Sequence, residues 1–183
     1  MALPKLTTPT YELEIPSTDE KISYRPFLVK EEKILLMAME SGKNEDIVNA
    51  VGQIVSECTF NKLKVKSMPI FDIEYIFLNI RAVSVGEIVE INVTCRDDEE
   101  TNVRYNLNLT DVKVTFPKGH SNKVMLTDTT VVIMKYPSFN RFVENQFQQK
   151  DVDDDTVLDI IAESIDQIFQ GEEVFDSSTT TPK

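Results

Sequence analysis

Cys95 is the first residue to weigh for metal chemistry. It ends an alternating run of apolar residues and is followed by Arg96-Asp97-Asp98-Glu99-Glu100, so it reads as the tip of a hairpin. Zinc needs four converging ligands, and zinc ribbons supply them as two cysteine pairs at such tips. Here the second member of the pair and the whole second pair are absent, and the one histidine, His120, stands by itself on a turn. Structural zinc is therefore not expected. Asp151, Asp153, Asp154 and Asp155 suggest calcium, yet the run lacks the glycine and the distal bidentate glutamate of an EF-hand loop. Carboxylates ahead of a helix stabilise its N-terminal end, and that is the simpler role for this run. Nucleophilic catalysis needs a nucleophile, a base and an orienting group, and a single histidine with no nucleophile-elbow motif supplies no such set. Paired carboxylates do acid–base work in many enzymes, but among 31 acidic residues no pair stands out. There is no Gly-x-Gly-x-x-Gly and no phosphate loop. The expectation is a protein that is not an enzyme and that takes no cofactor, metal or small-molecule substrate.

What remains is aromatic and apolar surface. Tyr24, Phe27, Tyr136, Phe139 and Phe142 lie beside prolines or on short amphipathic stretches. Large aromatics carry much of the energy of protein interfaces, and of cores too. These five are the candidate partner-binding residues, each weighed against an ordinary place in the core.

The element that must position everything else is Pro69 to Ala82. At about 100° per residue, Ile73, Ile76, Phe77 and Ile80 fall on one side of a helix, and Phe71, Tyr75, Leu78 and Ala82 nearly opposite. Asp72 and Asn79 fill one gap between the stripes, Glu74 and Arg81 the other. A surface helix has one apolar stripe. Two stripes predict a helix covered on both flanks, by helices on one side and a sheet on the other.

Around it, residues 1–23 form a proline-rich arm, extended because proline fixes φ and removes a donor. Tyr11, Leu13 and Ile15 alternate as a short strand, and Ile22 to Arg25 allow a second. Such an arm lies on its own domain or reaches a neighbour. Residues 24–171 are expected to make a single α+β domain, helical over 24–85, antiparallel β over 86–136 and helical over 137–171. Its first helix spans Leu28 to Met39, with Ile34, Leu35, Ala38 and Met39 as the buried face. The second is capped by Asn44 and buries Ile47, Val51, Ile54, Val55 and Cys58. Val89 to Cys95 and Val103 to Leu109 alternate as a hairpin with one wet face each. Val112, Val114 and Phe116 resume the alternation, and Lys123 to Thr127 and Thr130 to Lys135 follow as strands, although Thr129-Thr130 also suits a helix start. Ser138 to Gln146 and Thr156 to Phe169 are the C-terminal helices, the latter stopped by Gly171. Residues 172–183 have little to bury and are expected to be disordered. Cys58 and Cys95 both read as small buried hydrophobes.

Composition narrows the partners. The 183 residues carry a formal net charge of −12 and 41% hydrophobic residues, enough for a core. Nucleic-acid binders show a basic stripe; here only Lys62, Lys64 and Lys66 alternate, as the solvated face of an extended segment. No apolar run is long enough for a membrane span, and Met1 to Leu6 lack the apolar core of a secretory signal. The protein is therefore expected in the cytosol where it is made. An acidic decoy mimicking nucleic acid would need its charge arrayed on one face, which a sequence does not display.

Three stretches carry a resemblance. They are Leu3-Pro4-Lys5-Leu6 with Tyr11 to Thr18, the run Tyr24 to Lys33, and Ile73 to Glu87 with Met134-Lys135-Tyr136-Pro137-Ser138-Phe139. Together they resemble the baseplate hub assembly proteins of T-even-type tailed bacteriophages, over nearly the whole chain except the acidic link and the tail after Gly171. That family offers no catalytic motif, so no residue inherits an enzymatic role. Some relatives are richer in cysteine near the hairpin tip, and keeping only Cys95 counts against a metal there. The resemblance implies a protein made late in infection in the host cytoplasm. It would work where the central hub is built, beside the spike and the tape-measure protein, as a transient factor or as a permanent part of the virion baseplate. Its partners would be other hub or tape-measure proteins.

Overall fold

The computed structural model describes residues 8–148 and 154–176. Asp151 and Asp153 of the acidic run, Leu3 to Leu6 and the tail 177–183 lie outside the described residues. The fold is α+β, as expected, with small antiparallel sheets. Its contacts divide it into two compact units. The first takes Met1–Lys66 and Phe71–Val114, the second Ser67–Ile70 and Thr115–Lys183.

In the first unit, β1 (Tyr11–Glu14) and β2 (Lys21–Tyr24) pair antiparallel, Tyr11 opposite Tyr24 and Leu13 opposite Ile22. The turn between them is tied by the Asp19 N–H donating to the Ile15 carbonyl at 2.9 Å. Ile15, Ile22 and Tyr24 are buried, so this part of the arm lies on its own unit. Helices α1 (Val29–Glu40) and α2 (Asn44–Cys58) follow and contact each other. Two expectations need correction here. Asn44 is the first helical residue, and the extended Lys43 holds the cap position without a side-chain bond. Met39 is 57% exposed, and the buried side of α1 is Glu31 and Ala38 flanked by Ile34 and Leu35. The reason is angular: residues seven apart on a helix lie within about 20° of each other, which puts Glu31 above Ala38.

The helix α3 (Ile70–Val85) bears out its two-sided pattern. Ile73, Ile76 and Ile80 are wholly buried, Ala82 on the other stripe is buried, and Phe71, Tyr75, Phe77 and Leu78 are half-buried. Neither flank is bare. Asp72, assigned to a polar gap, is also wholly buried.

Strands β3 (Ile88–Thr94) and β4 (Asn102–Asn108) pair antiparallel with Val89 opposite Leu107 and Val93 opposite Val103. They form a two-stranded ribbon rather than part of one continuous 86–136 sheet. The ribbon ends at the buried Leu109, whose N–H reaches the Glu87 carbonyl at 2.8 Å. The Asn108 carboxamide then accepts the Thr110 N–H at 3.1 Å and turns the chain off the ladder. Val112, Val114 and Phe116 consequently belong to no strand.

The second unit holds a four-stranded antiparallel sheet in the order β5 (Lys123–Met125), β6 (Thr130–Met134), β7 (Ile165–Gln170), β8 (Glu173–Asp176). Helices α4 (Phe139–Gln148) and α5 (Asp154–Glu163) lie between β6 and β7 in sequence. The last helix was expected through Phe169 but ends at Glu163. Ser164 turns its hydroxyl back to the Ile160 carbonyl at 2.8 Å, and Ile165–Gln170 is a strand paired on both edges. Tertiary pairing overrides local helical spacing there. Gly171, with φ +60, closes the β7–β8 turn instead of stopping a helix, and Glu173–Asp176, expected within a disordered tail, form β8.

Candidate protein-contact site

The five sequence-predicted aromatics fall in different environments. In the first unit, Tyr24 is 5% exposed and its ring lies 5.7 Å from that of Tyr11. Phe27 is half-buried, and its backbone N–H donates to the Ser84 hydroxyl at 3.0 Å. In the second unit, Phe139 is 5% exposed and its N–H donates to the Met68 carbonyl at 2.7 Å. Phe142 is half-buried on α4. Tyr136, just past β6, keeps 39% of its surface in solvent.

Tyr136 is not isolated. The Pro117–His120 turn, closed by the His120 N–H on the Pro117 carbonyl at 2.9 Å, carries Phe116 and His120 toward the same place. Gly119 enables it with φ +84, a conformation that side chains with a Cβ rarely adopt. The His120 ring stacks on Phe116 at 5.1 Å and lies within 9° of parallel to Tyr136 at 6.1 Å. His120 Nε2 and the Tyr136 hydroxyl are 2.6 Å apart and share a hydrogen bond. All three rings are exposed. Sequence reasoning named Tyr136 and missed its two companions. Aromatic residues flanking Pro-Lys-Gly were a readable sign of a turn-mounted pair. That Tyr136, sixteen residues on, joins them depends on the chain returning through β5 and β6.

The metal question has a geometric answer at the ribbon tip. Ligand atoms of Cys95, Asp97 and Asp98 lie within 4.8 Å of one another. Asp98 is, however, engaged by the turn itself. It accepts the N–H groups of Glu100 at 3.1 Å and Thr101 at 3.0 Å and also the Thr101 hydroxyl, which lowers its pKa. Cys95 is half-exposed, against the expectation of burial. A three-ligand group on an exposed turn falls short of a closed zinc site.

Two buried acidic groups have structural partners. Glu31 is 0% exposed and bridges Arg25 at 2.7 Å and Lys30 at 3.3 Å, while its other oxygen accepts the Leu28 N–H at 2.8 Å. Burial pushes its carboxyl up, but the hydrogen bonds from Arg25 and Leu28 outweigh that and hold it at about 2. Asp72 accepts the Ser17 N–H at 3.1 Å and the Ser17 hydroxyl at 2.5 Å; burial dominates and raises its pKa. Beside the first cluster, burial lifts the Cys58 thiol to about 11.

The molecule described so far is an α+β protein whose buried polar groups are engaged in holding its own fold, with aromatic and apolar groups left outside. A family model described as T4 bacteriophage base plate protein matches residues 8–183, and the chain belongs to that family. No curated protein and no solved structure gives a significant match. Membership assigns the chain a structural or assembly role at the phage tail baseplate, among baseplate proteins as partners. Among the described residues no helix is long and apolar enough to cross a membrane.

Proposed function

We propose that this protein is a non-enzymatic assembly factor of the central baseplate hub. It acts by transient protein–protein contacts with hub or tape-measure proteins in the host cytoplasm late in infection. The observation that carries the reading is the family match over residues 8–183. It is supported by the kind of surface the chain offers: the stacked Phe116–His120–Tyr136 rings, with Tyr136 as the contact residue among the five aromatics, are suited to a partner's apolar pocket.

The test is genetic and compositional. Infection with phage lacking the protein should yield tails arrested before a complete hub, and mass spectrometry of mature wild-type particles should find the protein absent or far below stoichiometry. Normal baseplates formed without it would overturn the proposal. Stoichiometric copies in mature tails would instead make it a permanent hub subunit.

A further inference from the structure

The β3–β4 ribbon has no third strand among the described residues. One face sets Val89, Ile91 and Val93 opposite Leu107, Tyr105 and Val103. The other carries Glu90, Asn92, Thr94, Asn102, Arg104 and Asn106, tied by the Glu90–Arg104 ion pair at 3.4 Å and a Thr94–Asn102 bond at 2.9 Å. That is the pattern of a sheet with one covered and one wet face. Yet cover fades along the apolar face. Val89 and Leu107 near the base are half-buried, whereas Tyr105 is 56%, Val93 46% and Val103 50% exposed. Seven-residue strands extend about 20 Å, and a lone two-stranded ribbon is only marginally stable in water.

The tip adds a charge. Asp98 fastens the turn, and Asp97, Glu99 and Glu100 are exposed around it, with Arg96 the one cation of the run. We infer that the ribbon is a docking arm. Its outer apolar face, Val93, Val103 and Tyr105, lies on an apolar strip of another baseplate protein, and lysines or arginines along that strip meet the tip carboxylates. Charge selects the occupant. A second copy would bring the same acidic tip and another net charge of −12 to the contact, and like charges placed together oppose association. The inference rests on the reading that this chain works through contacts with baseplate proteins.

The experiment titrates the full-length protein against the phage's other baseplate proteins, each purified singly. At least one should bind with an affinity that falls as salt is raised. The pair Val103→Thr with Tyr105→Thr should weaken that binding at least about tenfold. Asp97→Asn with Glu99→Gln and Glu100→Gln should weaken it about threefold or more and flatten the salt dependence. Asn92→Thr with Asn106→Thr, on the wet face, should leave it unchanged, and thermal unfolding establishes that each variant is folded. Binding that persists unaltered in the tip variants would refute the arm while leaving the contact function intact. Binding to none of the proteins would overturn both. Sedimentation showing a dimer that Val103→Thr with Tyr105→Thr dissolves would give the face to a second copy and reject the basic partner.

Discussion

Within the first unit, the Arg25–Glu31 corner and the β3–β4 ribbon depart from the usual inside–outside rule in opposite directions. The corner buries charge: Glu31 has no exposed surface, and Arg25 only 11% of its side chain. Its polar atoms are engaged, by Leu28 and Lys30 on Glu31 and by the Pro26 carbonyl on Arg25 at 2.9 Å. The ribbon does the reverse and shows apolar groups to water. Buried charges that hydrogen-bond inward fix a chain's own geometry, because leaving one partner unpaired there is costly. Exposed apolar groups on a regular face contribute little to the fold and favour association. The two regions therefore predict opposite mutational behaviour.

Each region carries one of the two cysteines, and the widest contrast is kinetic. Cys58 is wholly buried beside the corner with its thiol lifted to about 11, whereas Cys95 is half-exposed at the ribbon. At pH 8 a thiol reagent should label Cys95 at least about a thousandfold faster, since Cys58 reacts only through opening of the core. Equal rates, followed by mass spectrometry, would show that the corner is not closed.

The next effect is on stability. Glu31→Ala strands Arg25 and the Leu28 N–H and should cost about 3–5 kcal/mol in urea unfolding. The apolar pair Arg25→Met with Glu31→Leu should recover most of that loss, because burying ions offsets much of their attraction. Acid probes the same group. The folded pKa of Glu31, about 2, lies below the usual 4.5, so its contribution is fully present above about pH 4.5 and lost as pH falls toward 2. Between those limits the parent should lose roughly 3 kcal/mol more than Glu31→Gln.

Asp72 should show the opposite sign. Its pKa is raised by burial against the hydrogen bonds from Ser17, so folding favours its protonated form. As pH falls through that raised value the parent should gain stability relative to Asp72→Asn. Paired urea titrations at pH 7 and pH 4.5 separate this rise from the loss due to Glu31.

How much of this was legible follows from where the interactions are local. The two stripes of α3 and the alternation of β3 and β4 are readable because side-chain direction repeats with the backbone period. Glu31 lies in the first turn of α1, where local helix geometry alone favours a carboxylate, but its burial depends on Arg25 and on α2 packing beside it. The same holds for Asp72, whose partner Ser17 is 55 positions away. The strand Ile165–Gln170 sets Ile165, Ile168 and Phe169 at helical spacing with no alternation to mark a strand, and only β6 and β8 on its two edges make it one. The aromatic site was half visible: the ring at Tyr136 could be picked out, whereas its meeting with His120 is a product of the sheet.

The smallest stability effect belongs to the ribbon, and it is the most diagnostic. Val93 and Val103 face each other across β3 and β4 with about half of their surfaces already in water. Replacing both with threonine keeps the β-branched shape and the ladder hydrogen bonds, and takes little apolar surface out of the core. Unfolding should shift by no more than about 0.5 kcal/mol. Amides of the tip should exchange with solvent far sooner than those of α3, in parent and variant alike, because opening the tip uncovers little apolar surface. A loss of several kcal/mol from this pair, or tip amides protected as well as those around Ile76, would mean that the ribbon is part of the core. The difference between the two regions would then disappear.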